Sequence, residues 1–312
     1  MVETKVIAPV RKQKSKARHV SASNGLTALP TATGWIVRAA YARCAKEAIK
    51  ADPLVRKAGL TRGQIHNPEM RVTVQSQIKF LNLAAEALGD EFLGFHLAQE
   101  LELRELGLLY YVVASSDLLG DALQRLARYS VINNEGVRLS YRAGEYVMID
   151  FAYTGVQRHS DRHQIDFFTT VGVRLCRQLT GRQLRPERVT FTHLRTDFSN
   201  EMKKFFGCSV VFGEVVDRVT FSKGIQRMPV RTADPYLNAL LRRYCDECRS
   251  ARATQTSALR SSVENVIIPL LPHEKLDASK IAGILGLSRR TLARYLMSEG
   301  LSLVAREQRL GC

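Results

Sequence analysis

The sequence of 312 residues predicts an α+β fold. Helices lead, a mainly antiparallel sheet follows, and a small all-α unit closes the chain. Three observations predict it. Apolar residues recur at helical spacing from Gly34 to Tyr129. After Asn133 and Asn134 the period drops to two, with Val137, Leu139 and Tyr141 alternating against polar neighbours. Residues 276–301, LDASKIAGILGLSRRTLARYLMSEGL, read as two short helices joined by a tight turn.

The elements follow in order. Residues 1–30 hold Arg11, Lys12, Lys14, Lys16 and Arg18 and then a run of small residues, with little to bury. They are expected to be a disordered basic tail, the alternative being an arm that touches nucleic-acid phosphates. Trp35, Ala39, Ala42 and Ala45 mark a first helix, and Asp52-Pro53 starts a short second one that ends near Gly59. Ile78, Leu81, Ala85 and Leu88 form the buried stripe of a helix over 72–88, and Asp90 is expected to cap another through Leu101. Asp117 is expected to cap a helix carrying Leu119, Ala122, Leu123, Leu126 and Tyr129. Ala143-Gly144 turns the first strand into a second over 146–151, a hairpin signal. A helix over about 160–179, a strand at 189–191, a helix at 198–206 and strands at 210–212 and 218–221 complete this domain. Asp234-Pro235 opens a helix to about Cys248, for packing or dimerisation. Residues 31–248 thus form one domain, the polar stretch 249–257 a linker, and 258–312 a second domain. That second domain begins with a helix carrying Val263, Val266, Ile267 and Leu270.

In the two-helix unit, Ile281, Ile284 and Leu285 share a face of the first helix, and Gly286 stands where a left-handed residue ends it. Ser288 occupies the capping position of the second helix. Leu292 and Leu296 pack inward, so Arg290, Arg294 and Met297 point away, with Arg289 in the first turn. That is the order of parts in a DNA-binding helix-turn-helix, and arginine is the commonest reader of guanine. The alternative is a solvated basic face on an ordinary helical hairpin. A formal charge of +16 favours a polyanionic partner.

IAGILGLSRRTLARYLMSEGLSL closely resembles the first helix-turn-helix of AraC-type transcription regulators, in Ile281-Ala282, the turn at 285–288, Arg290-Thr291-Leu292 and the stop at Glu299-Gly300. The resemblance places base contacts on Arg290, Ala293 and Arg294, with Arg289 and Thr291 near phosphates beside the capping Ser288. Leu106-Gly107-Leu108, Leu119-Gly120-Asp121-Ala122-Leu123 and Ala127-Arg128-Tyr129, together with FFGCSVVFGEVVDRVTFSKG, resemble the regulatory domain of one AraC-type subgroup, the one that includes ornithine-utilisation and virulence regulators. Asp117-Leu118 stand where that group usually has Pro-Thr. The resemblance implies double-stranded DNA and a small-molecule effector as partners, a homodimer and a cytoplasmic location. It marks no residue as an effector contact. The family carries two helix-turn-helix units, and residues 301–310 look like the start of the helix joining them. An incomplete DNA-binding domain is therefore expected. The alternative function is an effector-binding or dimerising module with weak or no DNA binding of its own.

Other candidates are weaker. His159, His163 and Asp166 share a helix face and could hold Zn or Fe(II), but the plainer expectation is an exposed polar helix start, with no metal bound. Cys245 and Cys248 form a single C-x-x-C without further ligands, and the six cysteines show no disulfide framework. Phosphate-loop, G-x-S-x-G and H-E-x-x-H motifs are absent, so neither an enzyme nor a cofactor is expected. The longest apolar stretch, 106–114, is far short of the ~20 residues that span a bilayer.

Overall fold

A computed structural model describes residues 30–153, 161–195, 200–255, 282–283 and 288–290. The expected tail over 1–29 lies outside these.

The chain opens with β1 (Thr31–Ala32), α1 (Trp35–Lys46), α2 (Asp52–Lys57) and α3 (Arg62–His66). The last is started by a capping box in which Thr61 and Gln64 satisfy each other's backbone N–H groups. Next come β2 (Val72–Thr73) and α4 (Val74–Leu88), whose N-terminus is capped by Thr73 accepting from the Ser76 N–H. Gly89 ends α4 at φ +63°, a left-handed conformation that glycine adopts at least cost. Then α5 (Leu93–Glu100), a 3₁₀ turn over Leu103–Leu106, α6 (Leu108–Ala114) and α7 (Leu119–Asn133) complete the helical half.

The sheet half comprises β3 (Val137–Ala143), β4 (Tyr146–Tyr153), α8 (Arg162–Thr180), β5 (Arg188–Thr190), α9 (Asn200–Phe206), β6 (Ser209–Val211) and β7 (Asp217–Ser222). The five strands lie in the order β3-β4-β7-β5-β6. Every pair is antiparallel except β5–β6, where Val189 faces Val210 in parallel register. Alternation buries Val147, Ile149 and Phe151 of β4 beside Val219 and Phe221 of β7, on the face turned to the helices.

The core is one contiguous cluster centred on α8, which buries residues on most of its circumference. Helices α4 and α5 pack on one side of it, and α7 and the sheet on the other. Gly94 on α5 sets how closely these helices cross: a Cβ there would lie 1.8 Å from the His163 carbonyl oxygen. Buried amides tie the layers, with Gln77 Nε2 donating to Gln164 Oε1 at 2.6 Å and Gln164 Nε2 to the Tyr153 hydroxyl at 2.6 Å.

The chain then enters α10 (Pro235–Gln255). Its inner face docks on α6 and α7: Asn238 Nδ2 donates to the Val112 carbonyl at 3.0 Å, and Arg128 pairs with Asp246 at 2.8 Å. The helix does not stop near Cys248 as the sequence reading expects. It runs to Gln255, through most of the stretch expected to be a linker. That stretch, RSARATQTS, holds neither Gly nor Pro to interrupt a helix already started.

Other expected boundaries move by a few residues. The helix expected at 72 begins at Val74, because Val72 and Thr73 pair with β1. Asp117 does not cap α7. Its carbonyl accepts from the Val230 N–H at 2.9 Å, and the helix starts two residues later.

Candidate functional site

Of the six expected DNA contacts, the structure describes three. Ser288 is exposed and lies just before a helical segment that contains Arg289 and Arg290, both exposed. Two guanidinium groups thus stand in solvent at a helix start. Ala282, in the preceding segment, is helical and buried. Thr291, Ala293 and Arg294 lie outside the described residues, as do Leu292 and Leu296.

The α+β domain contains an apolar cavity of about 50 Å³. Trp35 of α1, Leu126 and Ser130 of α7, Leu139 of β3, Ile149 and Phe151 of β4, and Phe168, Val171 and Gly172 of α8 line it. It sits where the hairpin's inner face meets the helical layer, so several helices and both hairpin strands contribute to its wall. Asn133 and Asn134, at the end of α7, supply amides there. Sequence reasoning missed these residues. One signal was available: Gly172 stands inside the unbroken helix α8, where no positive φ requires a glycine.

A wider polar cleft of about 680 Å³ opens between α4 and the start of α8, lined by Glu86, Asp90, Glu91, Arg162, His163 and His193 among others. Its charges are largely paired. His96 bridges Asp90 at 2.8 Å and Glu201 at 3.1 Å, and Arg162 meets Glu91 at 3.4 Å. The Asp90 carboxylate and Glu201 raise the His96 pKa against its partial burial.

The expected exposure of His163 and Asp166 is overturned. They are 1% and 0% exposed, because α5 and the segment after β5 cover the first turns of α8. Burial pushes the His163 pKa down to about 4, and its Nδ1 has no partner among the described residues. Asp166 is ion-paired with Arg195 and lies 3.2 Å from His193 Nε2. Burial raises its pKa, but these two partners outweigh that and hold it below the ordinary carboxylate range. Both sides of this carboxylate are occupied by protein cations or imidazole, and no group of three or more possible ligands gathers among the described residues. His159 lies outside them. Cys245 is buried and Cys248 half-buried on α10. Burial pushes the Cys245 thiol up to about 11, far from the reactive thiolate range. No helix among the described residues is long and apolar enough to cross a membrane.

Helices followed by a mainly antiparallel sheet, with an apolar cavity between them, define an α+β domain. Residues 49–230, more than half of the chain, match the family described as the arabinose-binding domain of AraC transcription regulator, N-terminal. The chain belongs to this family of AraC transcription regulators. It is 24% identical over 269 residues to the HTH-type transcriptional regulator VirS of Mycobacterium tuberculosis, covering 83% of this chain and 78% of that protein. Its fold is similar to the crystal structure of the transcriptional regulator CdpR from Pseudomonas aeruginosa. The TM-score there is 0.51 at 16% identity, over 89% of this chain and 85% of that one.

Proposed function

We propose that this transcription regulator binds double-stranded DNA as a homodimer in the cytoplasm, under the control of a small-molecule effector held in its α+β domain. The observation that carries DNA binding is the pair Arg289 and Arg290, helical and exposed directly behind Ser288, in a chain of this family. Arg290 and Arg294 read bases, Ala293 meets a thymine methyl, and Ser288, Arg289 and Thr291 position the helix on phosphates. The residues 258–312 form the DNA-binding unit, and 31–248 the sensing and pairing unit.

Titration of promoter DNA from the protein's own locus, at several salt concentrations, tests this. Arg290→Ala is expected to cost ~1–3 kcal/mol at one base position and to relax preference there. Arg289→Ala is expected to weaken binding on all sequences alike and to lower the salt slope by about one. Absence of any preference over random DNA at low salt would sink the reading.

A second reading is favoured by the outer face of α10, where Tyr236, Leu240 and Tyr244 stand exposed at intervals of one helical turn. Here the chain acts chiefly as a pairing module that forms mixed dimers with an intact relative and weakens that relative's DNA binding. Co-expression separates the two: mixed dimers that bind DNA as tightly as the intact homodimer exclude it.

A further inference from the structure

We infer that the cavity between α1, α7, α8 and the β3–β4 hairpin is the effector site. Its ligand is a small, neutral, largely apolar molecule with one hydrogen-bond acceptor, such as a ketone or an ester. This deepens the sensing role proposed above and rests on it.

The wall sets the chemistry. Among the described residues no ionisable side chain lines the cavity. An ionised carboxylate or ammonium group brought there would lose its water without gaining a counter-charge, which disfavours amino acids and fatty-acid anions. The polar groups are nearly all committed. Ser130 Oγ donates to the Ala127 carbonyl at 3.3 Å, and Asn133 Nδ2 to the Leu106 carbonyl at 3.1 Å. Asn134 Oδ1 accepts from the Gly136 N–H at 3.0 Å, which fixes the orientation of that amide. Its Nδ2 is then left buried without a partner. This amide belongs to a residue of the cavity wall, so a ligand that brought one acceptor to it would supply the missing partner. A sugar brings several hydroxyls, and each would give up water for a wall that offers it nothing.

Gly172 is the second, independent observation. Glycine weakens a helix interior relative to alanine, and nothing crowds this one: an added Cβ would meet only Phe151 Cζ, at 3.9 Å. A methyl group would fit, improve the helix and fill space. The sequence instead keeps that space open. Its present volume of about 50 Å³ holds only a few atoms, whereas an apolar cavity of about 150 Å³ admits benzene. A ring-sized ligand would therefore need the wall to give way, and the half-buried Trp35 of α1 and Phe168 of α8 stand in that wall.

Trp35 is the only tryptophan in the chain, so its emission reports on the cavity directly. Titrating the full chain with cyclohexanone is expected to give a saturable change in that emission and a concentration-dependent rise in melting temperature. Methylcyclohexane, alike in shape but lacking the acceptor, is expected to bind about tenfold more weakly. L-Arabinose and hexanoate are expected to leave both signals unchanged. Gly172→Leu fills the space and is expected to abolish the response. Should that variant not fold, Gly172→Ala, expected to melt no lower than the wild type, weakens cyclohexanone binding by about fivefold or more. A lack of saturable response to cyclohexanone, undiminished binding in the folded Gly172 variants, or saturable binding of arabinose or hexanoate would each overturn the assignment. These titrations contain no DNA, so the two ideas fail separately. If cyclohexanone is without effect while a polar compound changes promoter affinity, the sensing role stands and the cavity assignment falls. If cyclohexanone saturates the Trp35 signal but never moves promoter affinity, the cavity binds such a ligand, but its assignment as the effector site falls.

Discussion

Two histidines, His163 in the lining of the polar cleft and His96 bonded to Asp90 of that lining, respond oppositely to acid. His163 has its pKa depressed from 6.5 to about 4 by burial, so below about 6.5 the unfolded chain takes up a proton that the folded one refuses. Stability is therefore expected to fall by up to ~3 kcal/mol as the pH drops from about 6.5 to about 4. His96 has a raised pKa through Asp90 and Glu201. Its contribution is present below its ordinary value and is lost as the pH rises through the raised one. Denaturant melts across this range check both limbs: His163→Gln is expected to flatten the acid limb and leave the alkaline one in place. Neither effect could be read from the sequence. His163 and Asp166 look like an exposed helix start until His193 and Arg195, some thirty residues later, are folded against them. By contrast, exposed Arg289 and Arg290 follow directly from helical angle and the position of Ser288, because local spacing settles which way such a side chain points.

Among the elements, the contact between α5 and α8 is the least forgiving. A methyl at Gly94 would overlap the His163 carbonyl, and backbone at this depth has nowhere to retreat. Gly94→Ala is expected to destabilise the domain by ~3 kcal/mol or more, read as a loss of melting temperature without a change in net charge. Periodicity made most elements legible, including the β3–β4 hairpin, α4 and α7, because each buries one face with a clean repeat. The parallel β5–β6 pair was not legible, since its register depends on the crossover through α9. Nor was β1–β2, two residues a side, whose pairing rests on Arg71 donating to the Thr31 hydroxyl at 2.7 Å and to the Ile132 carbonyl at 3.1 Å. The cavity stayed hidden for a related reason. Leu126, Ile149 and Phe151 have the pattern of ordinary core residues, and only the meeting of several helices with the hairpin leaves a gap.

On the scale of the whole molecule, α10 presents two faces with different fates. Its inner face is fixed by Asn238, Cys245 and Asp246, while Tyr236, Leu240 and Tyr244 meet solvent. Arg243 and Glu247 flank that stripe on adjoining turns, so a two-fold pairing of the helix can bring opposite charges together. Leu240→Lys is expected to convert a dimer into a monomer in light scattering while leaving the melting temperature close to that of the wild type, because the residue is more than half exposed within its own chain. A monomeric wild type, or a dimer that tolerates the lysine, would remove α10 from the pairing surface. The unbroken course of α10 to Gln255 has one more consequence, which concerns phase. A helix conveys rotation as faithfully as distance, about 100° and 1.5 Å per residue. One alanine inserted after Ser250 should therefore swing whatever the chain carries onward to a different bearing, and promoter affinity should drop. Seven alanines add two turns and restore the bearing to within about 20° at a longer reach, so that affinity should largely return. A slack tether would be indifferent to both insertions, whereas a shaft distinguishes the count of one from the count of seven.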